Sequence, residues 1–312
     1  MDRIKSFDIL KGFGILLMIV AHTFGPDNRL WDFIYAFHMP LFFIVSGYFF
    51  KHRPFLELFK KNRDQLLIQY IVLCAIVTLL TQIRQPHNLC TDLYNTLNGM
   101  GPGWFLLALF LTRIEFNYIL RLFPNYYLFI SFIISTCVCF VANYYDISTM
   151  LSFFPSLKGL FFLATGYYIR EHSLLDYSKR HPWFFLSASL FFWLTTSIYG
   201  KVEMSQCLFK LSIIDFCGSI GGTFLVYKLS QFIGRSNNSI KNILANAGKY
   251  SLVILFFHSI DYCVPVWYLF QSYFPSHILL YIILFLRLLL VTICVILSLR
   301  TKWTRTFFKI KT

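Results

Sequence analysis

Apolar runs of roughly bilayer length dominate the chain, and short polar segments punctuate them. A membrane-crossing helix takes about 17–25 predominantly apolar residues. Ten windows meet that pattern, at 9–24, 33–50, 66–83, 103–122, 126–143, 152–170, 183–199, 211–229, 250–267 and 277–299. The connections are short, with no Ser/Gly linker, low-complexity tract or soluble insertion, so residues 1–312 read as one integral-membrane domain. Arg3 and Lys5 precede the first window as in a secretory leader, but no small-residue cleavage site follows and further apolar windows come at once. It reads as a retained first span. Between Lys51 and Gln65, basic residues are interspersed with Phe55, Leu56, Leu58 and Phe59, which predicts an amphipathic helix lying at the membrane interface. The expected fold is all-α and polytopic, with about ten transmembrane helices around a polar cavity.

Composition agrees with that pattern and orients it. Charged residues make up 13% of the chain, about half the share in soluble domains, and hydrophobic residues 57%. Lys and Arg outnumber Asp and Glu by 28 to 14. The basic residues sit between apolar runs, which argues against a nucleic-acid partner and for membrane lipid. Counted in alternate connections, 21 fall on one side and 4 on the other, leaving Arg113, Lys158 and Arg287 inside windows. The positive-inside bias then predicts that both termini are cytoplasmic. The eight cysteines form no CxxC pair and no Cys/His ligand spacing, so no metal is expected. Cys74, Cys137, Cys139, Cys217, Cys263 and Cys294 read as small buried hydrophobes. Cys90 and Cys207 fall in outer connections, where a bridge between them is left open.

Candidate chemistry begins in FDILKGFGILLMIVAH, Phe7 to His22. From Lys11 to His22 is eleven steps, three helical turns plus about 20°, so both side chains share one face about 16 Å apart along the axis. Ile15 and Met18 lie on the stripe between them. The turn GPDNR (25–29) leads into FHMPLFFIVSGYFF (37–50), which puts His38 at the same end as His22, and Pro40 is expected to break that helix early. Ionisable groups within apolar windows are costly and usually face a cavity or a partner. Arg113, Lys158, Asp215, His258 and Arg287 are of this kind, and Glu115, two residues past Arg113, points elsewhere. Each alone suits a structural ion pair or a buried hydrogen bond; together they predict a polar interior. Two classes of protein need such an interior: an enzyme that passes a group across the membrane, and a transporter or flippase for a saccharide or small metabolite. A transporter favours broken helices placed symmetrically in two halves, and the hairpins near the N-terminus have no counterpart after residue 150.

The Phe7–His22 stretch resembles the opening of the membrane-bound acyltransferase family 3, whose signature is a basic residue, ten others and a histidine. Here Lys11 stands where Arg is usual, keeping the charge but not the planar fork. FHMPLFFIVSGYFF resembles the second-span motif of the fucose 4-O-acetylase-like branch, and GPGWFL (101–106), FFLATGYYIR (161–170) and YSLVILFFH (250–258) resemble later segments in order. The resemblance implies an O-acyltransferase of the bacterial cytoplasmic membrane. It would take an acetyl group from cytoplasmic acetyl-CoA and place it on a hydroxyl of a cell-surface or lipid-linked carbohydrate. On that reading His22 is the base or a transient acyl carrier, and Lys11 binds or orients the donor. His38 is a second polar group near the reacting hydroxyl or a structural histidine. Arg113 is a candidate for stabilising charge on the thioester oxygen or for binding donor phosphate, Arg287 for donor phosphate, and His258 for the acceptor. Trp104 covers a sugar face or belongs to an interfacial aromatic belt.

Overall fold

The computed structural model describes residues 3–84, 88–99, 101–145, 152–236, 238–265, 267, 273 and 275–310. Within them the chain is helical apart from one short antiparallel ladder. Helix α1 (Arg3–Phe24) leads through a turn into α2 (Arg29–Tyr35) and α3 (His38–Tyr48). The amphipathic α4 (Phe55–Asn62) and a π-helical turn (Arg63–Leu67) precede α5 (Ile68–Arg84) and α6 (Leu89–Gly99). Then come α7 (Trp104–Leu122), α8 (Tyr127–Tyr145), α9 (Phe153–Glu171), the single turn α10 (Leu174–Tyr177) and α11 (Pro182–Tyr199). A two-residue hairpin, β1 (Val202–Glu203) with β2 (Leu208–Phe209), joins α11 to α12 (Ile213–Arg235). The described chain closes with α13 (Ser239–Lys249), α14 (Ser251–Cys263), α15 (Ser276–Arg300) and α16 (Lys302–Phe307).

Every one of the ten apolar windows contains helix, but the helices are unequal. Among the described residues four stretches are long and apolar enough to cross a membrane: Lys5–Phe24, Arg29–Tyr48, Phe55–Arg84 and Ile278–Arg300. The pair α13–α14 passes the same test only when taken together across a 74° bend. The second window breaks at Ala36–Phe37 rather than after Pro40. Pro40 falls in the first turn of α3, where its missing N–H would have had no intrahelical partner, so it costs that helix little. In α2, Asn28 caps the N-terminus by accepting from the Leu30 N–H at 2.9 Å.

With no hydrophobic drive between helices inside a bilayer, close packing holds them, and small residues permit it. At Gly248 an added Cβ would lie 1.7 Å from the Asp8 carbonyl oxygen, and at Gly12 2.0 Å from that of Leu244. These two positions let α13 lie directly along the first half of α1. The stretch reads as a polar connection in the sequence, yet it is a packed helix. Gly47 and Gly166 do the same for α3 and α9, where an added Cβ would lie 1.9 Å from a carbonyl oxygen of the other helix. Around this frame Phe43, Phe116, Phe162, Phe209 and Phe216 are fully buried.

One expectation for cysteine needs correction, and one question left open is answered. Cys137 is exposed, because the face of α8 that carries it points away from the bundle. Cys207 is buried and free while Cys90 is free and exposed, so no bridge joins them. The Cys207 carbonyl instead accepts from Lys158 Nζ at 3.0 Å, and that ammonium also lies 3.4 Å from the centroid of the Phe209 ring. Lys158 thereby anchors the hairpin to α9, which is a structural use of a buried cation.

Candidate active site

Helical periodicity decides the site's first feature. Lys11, Ile15 and Met18 share one face of α1, and all three line a cavity of about 340 Å³. Its other walls come from α3 (Met39, Ser46), α7 (Phe105, Arg113), Ser251 at the start of α14, and Phe308 and Lys309 just past α16. Lys11 Nζ pairs with Asp8 Oδ1 at 2.9 Å on the preceding turn. Arg113 donates from Nε to Ser46 Oγ at 2.8 Å and from Nη1 to Asn62 Oδ1 at 3.2 Å. Neither partner of Arg113 is charged, so the cavity carries more positive charge than its nearest groups balance. Glu115 is turned the other way and accepts from Ser156 Oγ at 2.7 Å.

His22 lies one turn beyond Met18, about 6 Å further along the axis. It does not line that cavity; it sits in a separate polar cluster. Its Nε2 is 2.7 Å from Tyr35 Oη, and its Nδ1 is 3.0 Å from Nε2 of His258, which is fully buried. The two imidazoles stack with centroids 5.3 Å apart, and the Tyr262 ring lies 4.8 Å from His22. Trp31 stacks on Tyr35 at 3.6 Å between centroids. His258 Nδ1 has no hydrogen-bond partner among the described residues.

Each of the two hydrogen bonds to His22 carries one proton, so the chain Tyr35–His22–His258 runs in one of two directions. In the first, Tyr35 O–H donates to His22 Nε2 and His22 Nδ1–H donates to His258 Nε2. In the second both are reversed and His22 Nε2 carries the proton. Only the first leaves His22 a basic Nε2. His38 is simpler. It is 1% exposed, and its Nδ1 is 3.1 Å from the Ile34 carbonyl, which can only accept. The proton is therefore on Nδ1, and Nε2 is the basic nitrogen. The His38 ring packs on Tyr35 at 4.5 Å, one side chain removed from His22.

Arg287 does not reach the Lys11 cavity. Its Nε pairs with Asp261 Oδ2 at 2.9 Å, and its Nη1 donates to the His22 carbonyl at 3.1 Å and to Thr23 Oγ1 at 3.0 Å. Trp267 Nε1 donates to the other Asp261 oxygen. This network ties the last turn of α1 to α14 and α15, so Arg287 fixes the backbone that carries His22. Trp104 lies outside both the cavity lining and the His22 cluster, packed edge to face on Phe105 at 6.2 Å. Of the residues singled out from sequence, Lys11 and Arg113 meet in one place, and His22, His258, His38 and Arg287 in another. Sequence reading missed Tyr35, Asp261, Ser46 and Asn62. Asp261 was within reach, as an acidic residue one turn past His258 in an apolar window.

A family profile described as an acyltransferase domain matches residues 4–301. The chain is 31% identical over 130 residues to the nodulation protein NolL of Mesorhizobium japonicum. That stretch is 36% of this chain and 35% of NolL, so it spans only about a third of the relative. No solved structure matches the chain.

Proposed function

Since the chain belongs to the acyltransferase-3 family, a membrane-associated group of acyltransferases, we propose that it is an O-acetyltransferase of the fucose 4-O-acetylase-like branch. It would move acetyl from cytoplasmic acetyl-CoA to a hydroxyl of a cell-surface or lipid-linked carbohydrate. The proposed setting is the bacterial cytoplasmic membrane, with ten spans and both termini inside. On this reading Lys11, Arg113 and the cavity between them lie at the inner rim, and His22 lies toward the outer face. The observation that carries the reading is the stripe on α1, which opens a cationic cavity at one end and ends in a hydrogen-bonded histidine cluster at the other.

The donor suits that layout, because its phosphates and its thioester sit at opposite ends of a long flexible arm. Lys11 and Arg113 would hold phosphate, Arg113 already oriented by Ser46 and Asn62. The thioester would pass Met18, whose unbranched side chain is the most adaptable available gate. At His22 the productive arrangement has Nδ1–H donating to His258 and Nε2 free to accept. The acceptor hydroxyl takes the place of Tyr35 at Nε2 and gives up its proton as its oxygen attacks the carbonyl carbon. The C–S bond then breaks, and the departing thiolate recovers the proton from His22. Histidine suits this role because its ordinary pKa lies near 6.5, and base catalysis of this kind contributes about 10²–10⁴-fold. His258 would hold the cation that His22 becomes, and Arg287 with Asp261 would hold its backbone. His38, with a basic Nε2, is assigned to the acceptor; Trp104, away from both sites, is not.

The test compares surface carbohydrate from cells with and without this chain by NMR of ester groups, together with acetyl-CoA binding to the purified protein. Loss of O-acetyl esters on deletion, and saturable acetyl-CoA binding that Lys11→Ala weakens, support the proposal. Unchanged esters, or transport of a saccharide without acetyl-CoA consumption, refute it.

A further inference from the structure

A second cavity, about 360 Å³, lies on the far side of α1 and α3 from the first. Leu10 lines it where its neighbour Lys11 lines the other, and Val45 lines both, so one helix layer separates them. Its remaining walls are almost wholly apolar, among them Ile169 of α9, Phe185 of α11 and Phe224 and Tyr227 of α12. It reaches the outside of the bundle at Phe184, which lines it and is also 69% exposed. No polar substrate is served by such a lining.

One end of the cavity differs. Ser178 lines it and accepts from Lys228 Nζ at 3.2 Å, while that ammonium lies 5.0 Å from the Phe224 ring centroid. Among the described residues no carboxylate lies within ion-pair distance of Lys228, and Lys179 and Arg235 are near enough to repel it. Asp176, two residues before Ser178, is paired with Lys179 at 2.7 Å. The site is therefore an apolar slot ending in unbalanced positive charge, complementary to a hydrocarbon chain that ends in phosphate.

We infer that this cavity binds one acyl chain of an anionic phospholipid, with the headgroup phosphate on Lys228 and Ser178. The volume favours that source. At about 30 Å³ per water-sized group, 360 Å³ takes about a dozen methylenes, which is most of one fatty chain and far less than a long polyprenyl tail. The occupant would fill the space behind the α1 stripe and support the wall that carries Lys11. The inference rests on the chain lying in a membrane but not on acetyl transfer. Its test reads lipid rather than turnover and can be run equally on the His22→Ala protein.

The full chain is purified in mild detergent and its retained lipid identified by native mass spectrometry. Thermal midpoints are then measured with phosphatidylglycerol or with phosphatidylcholine of the same chains. The expected results are one retained anionic phospholipid and a larger upward shift with phosphatidylglycerol. Lys228→Gln should reduce the preference for phosphatidylglycerol about fivefold, the share of one lysine near an anionic headgroup, and Lys228→Arg should keep it. Ala188→Phe and, separately, Cys217→Phe fill the slot and should abolish retention of either lipid in protein that remains monodisperse. Unchanged preference in Lys228→Gln, unchanged retention in both filled variants, or recovery of a polyprenyl phosphate in place of phospholipid would overturn the inference.

Discussion

Replacing His258 with Phe isolates the bond that makes His22 a competent base. The substitution keeps a ring in the stack on His22, where the imidazole centroids are 5.3 Å apart, and removes only the 3.0 Å contact to His22 Nδ1. In the ground state that contact is an ordinary hydrogen bond. As His22 takes up a proton it becomes a bond to a cation, worth about 1.5–3 kcal/mol. His258 is fully buried, so water cannot readily replace it. Set against about 0.5–1.5 kcal/mol for the ground-state bond, the difference is about 1–1.5 kcal/mol, so at 1.36 kcal/mol per decade the expected loss is roughly five- to thirteenfold in kcat. KM for acetyl-CoA should hold steady, since Lys11 and Arg113 are untouched. The assay is thiol release from acetyl-CoA by protein in lipid nanodiscs, supplied with de-esterified carbohydrate from the deletion strain. His258→Gln, which can still accept from Nδ1–H, should recover part of the loss. A His258→Phe enzyme within twofold of the wild type would refute the role given to the pair.

Further outcomes follow from the same geometry. Lys11→Ala should raise KM for acetyl-CoA with a smaller effect on kcat, measured in the same assay. Met18→Trp should block transfer between cavity and cluster, lowering kcat while acetyl-CoA affinity measured by titration stays put. Gly248→Ala pushes a methyl against the Asp8 carbonyl and should cost about 1–3 kcal/mol, read as a lower thermal midpoint. Glu203, in the hairpin outside the helices, has its carboxyl raised above the ordinary 4.5 by burial, against the opposing pull of Lys201. The folded hairpin therefore prefers the protonated acid. That contribution is complete below the ordinary value and fades as pH rises through the raised one. Hydrogen exchange in the hairpin should quicken over that interval, and Glu203→Gln should remove the dependence.

What could be read from the chain follows from the range of the interactions involved. The Lys11–Ile15–Met18 stripe was legible because helical periodicity is local, and these three side chains line one cavity while His22, expected on the same wall, does not. Arg113 was legible because a guanidinium in an apolar run needs polar company. The pairing of His22 with His258 was not, since they stand 236 positions apart and neither apolar window points to the other. Tyr35 carries no charge to flag it, and its role appears only when the break at Ala36 turns α2 across the end of α1. The docking of α13 was hidden for a different reason. Gly12 and Gly248 act through what they lack, and a missing methyl leaves no hydropathy signature. Arg287 was correctly marked as a buried cation, but charge alone could not tell donor phosphate from Asp261.

The most direct test of the account is His22 itself. His22→Ala, reconstituted in lipid nanodiscs with acetyl-CoA and the de-esterified carbohydrate, should bind the donor with wild-type affinity and release thiol at least a hundredfold more slowly. Release at the wild-type rate would contradict it.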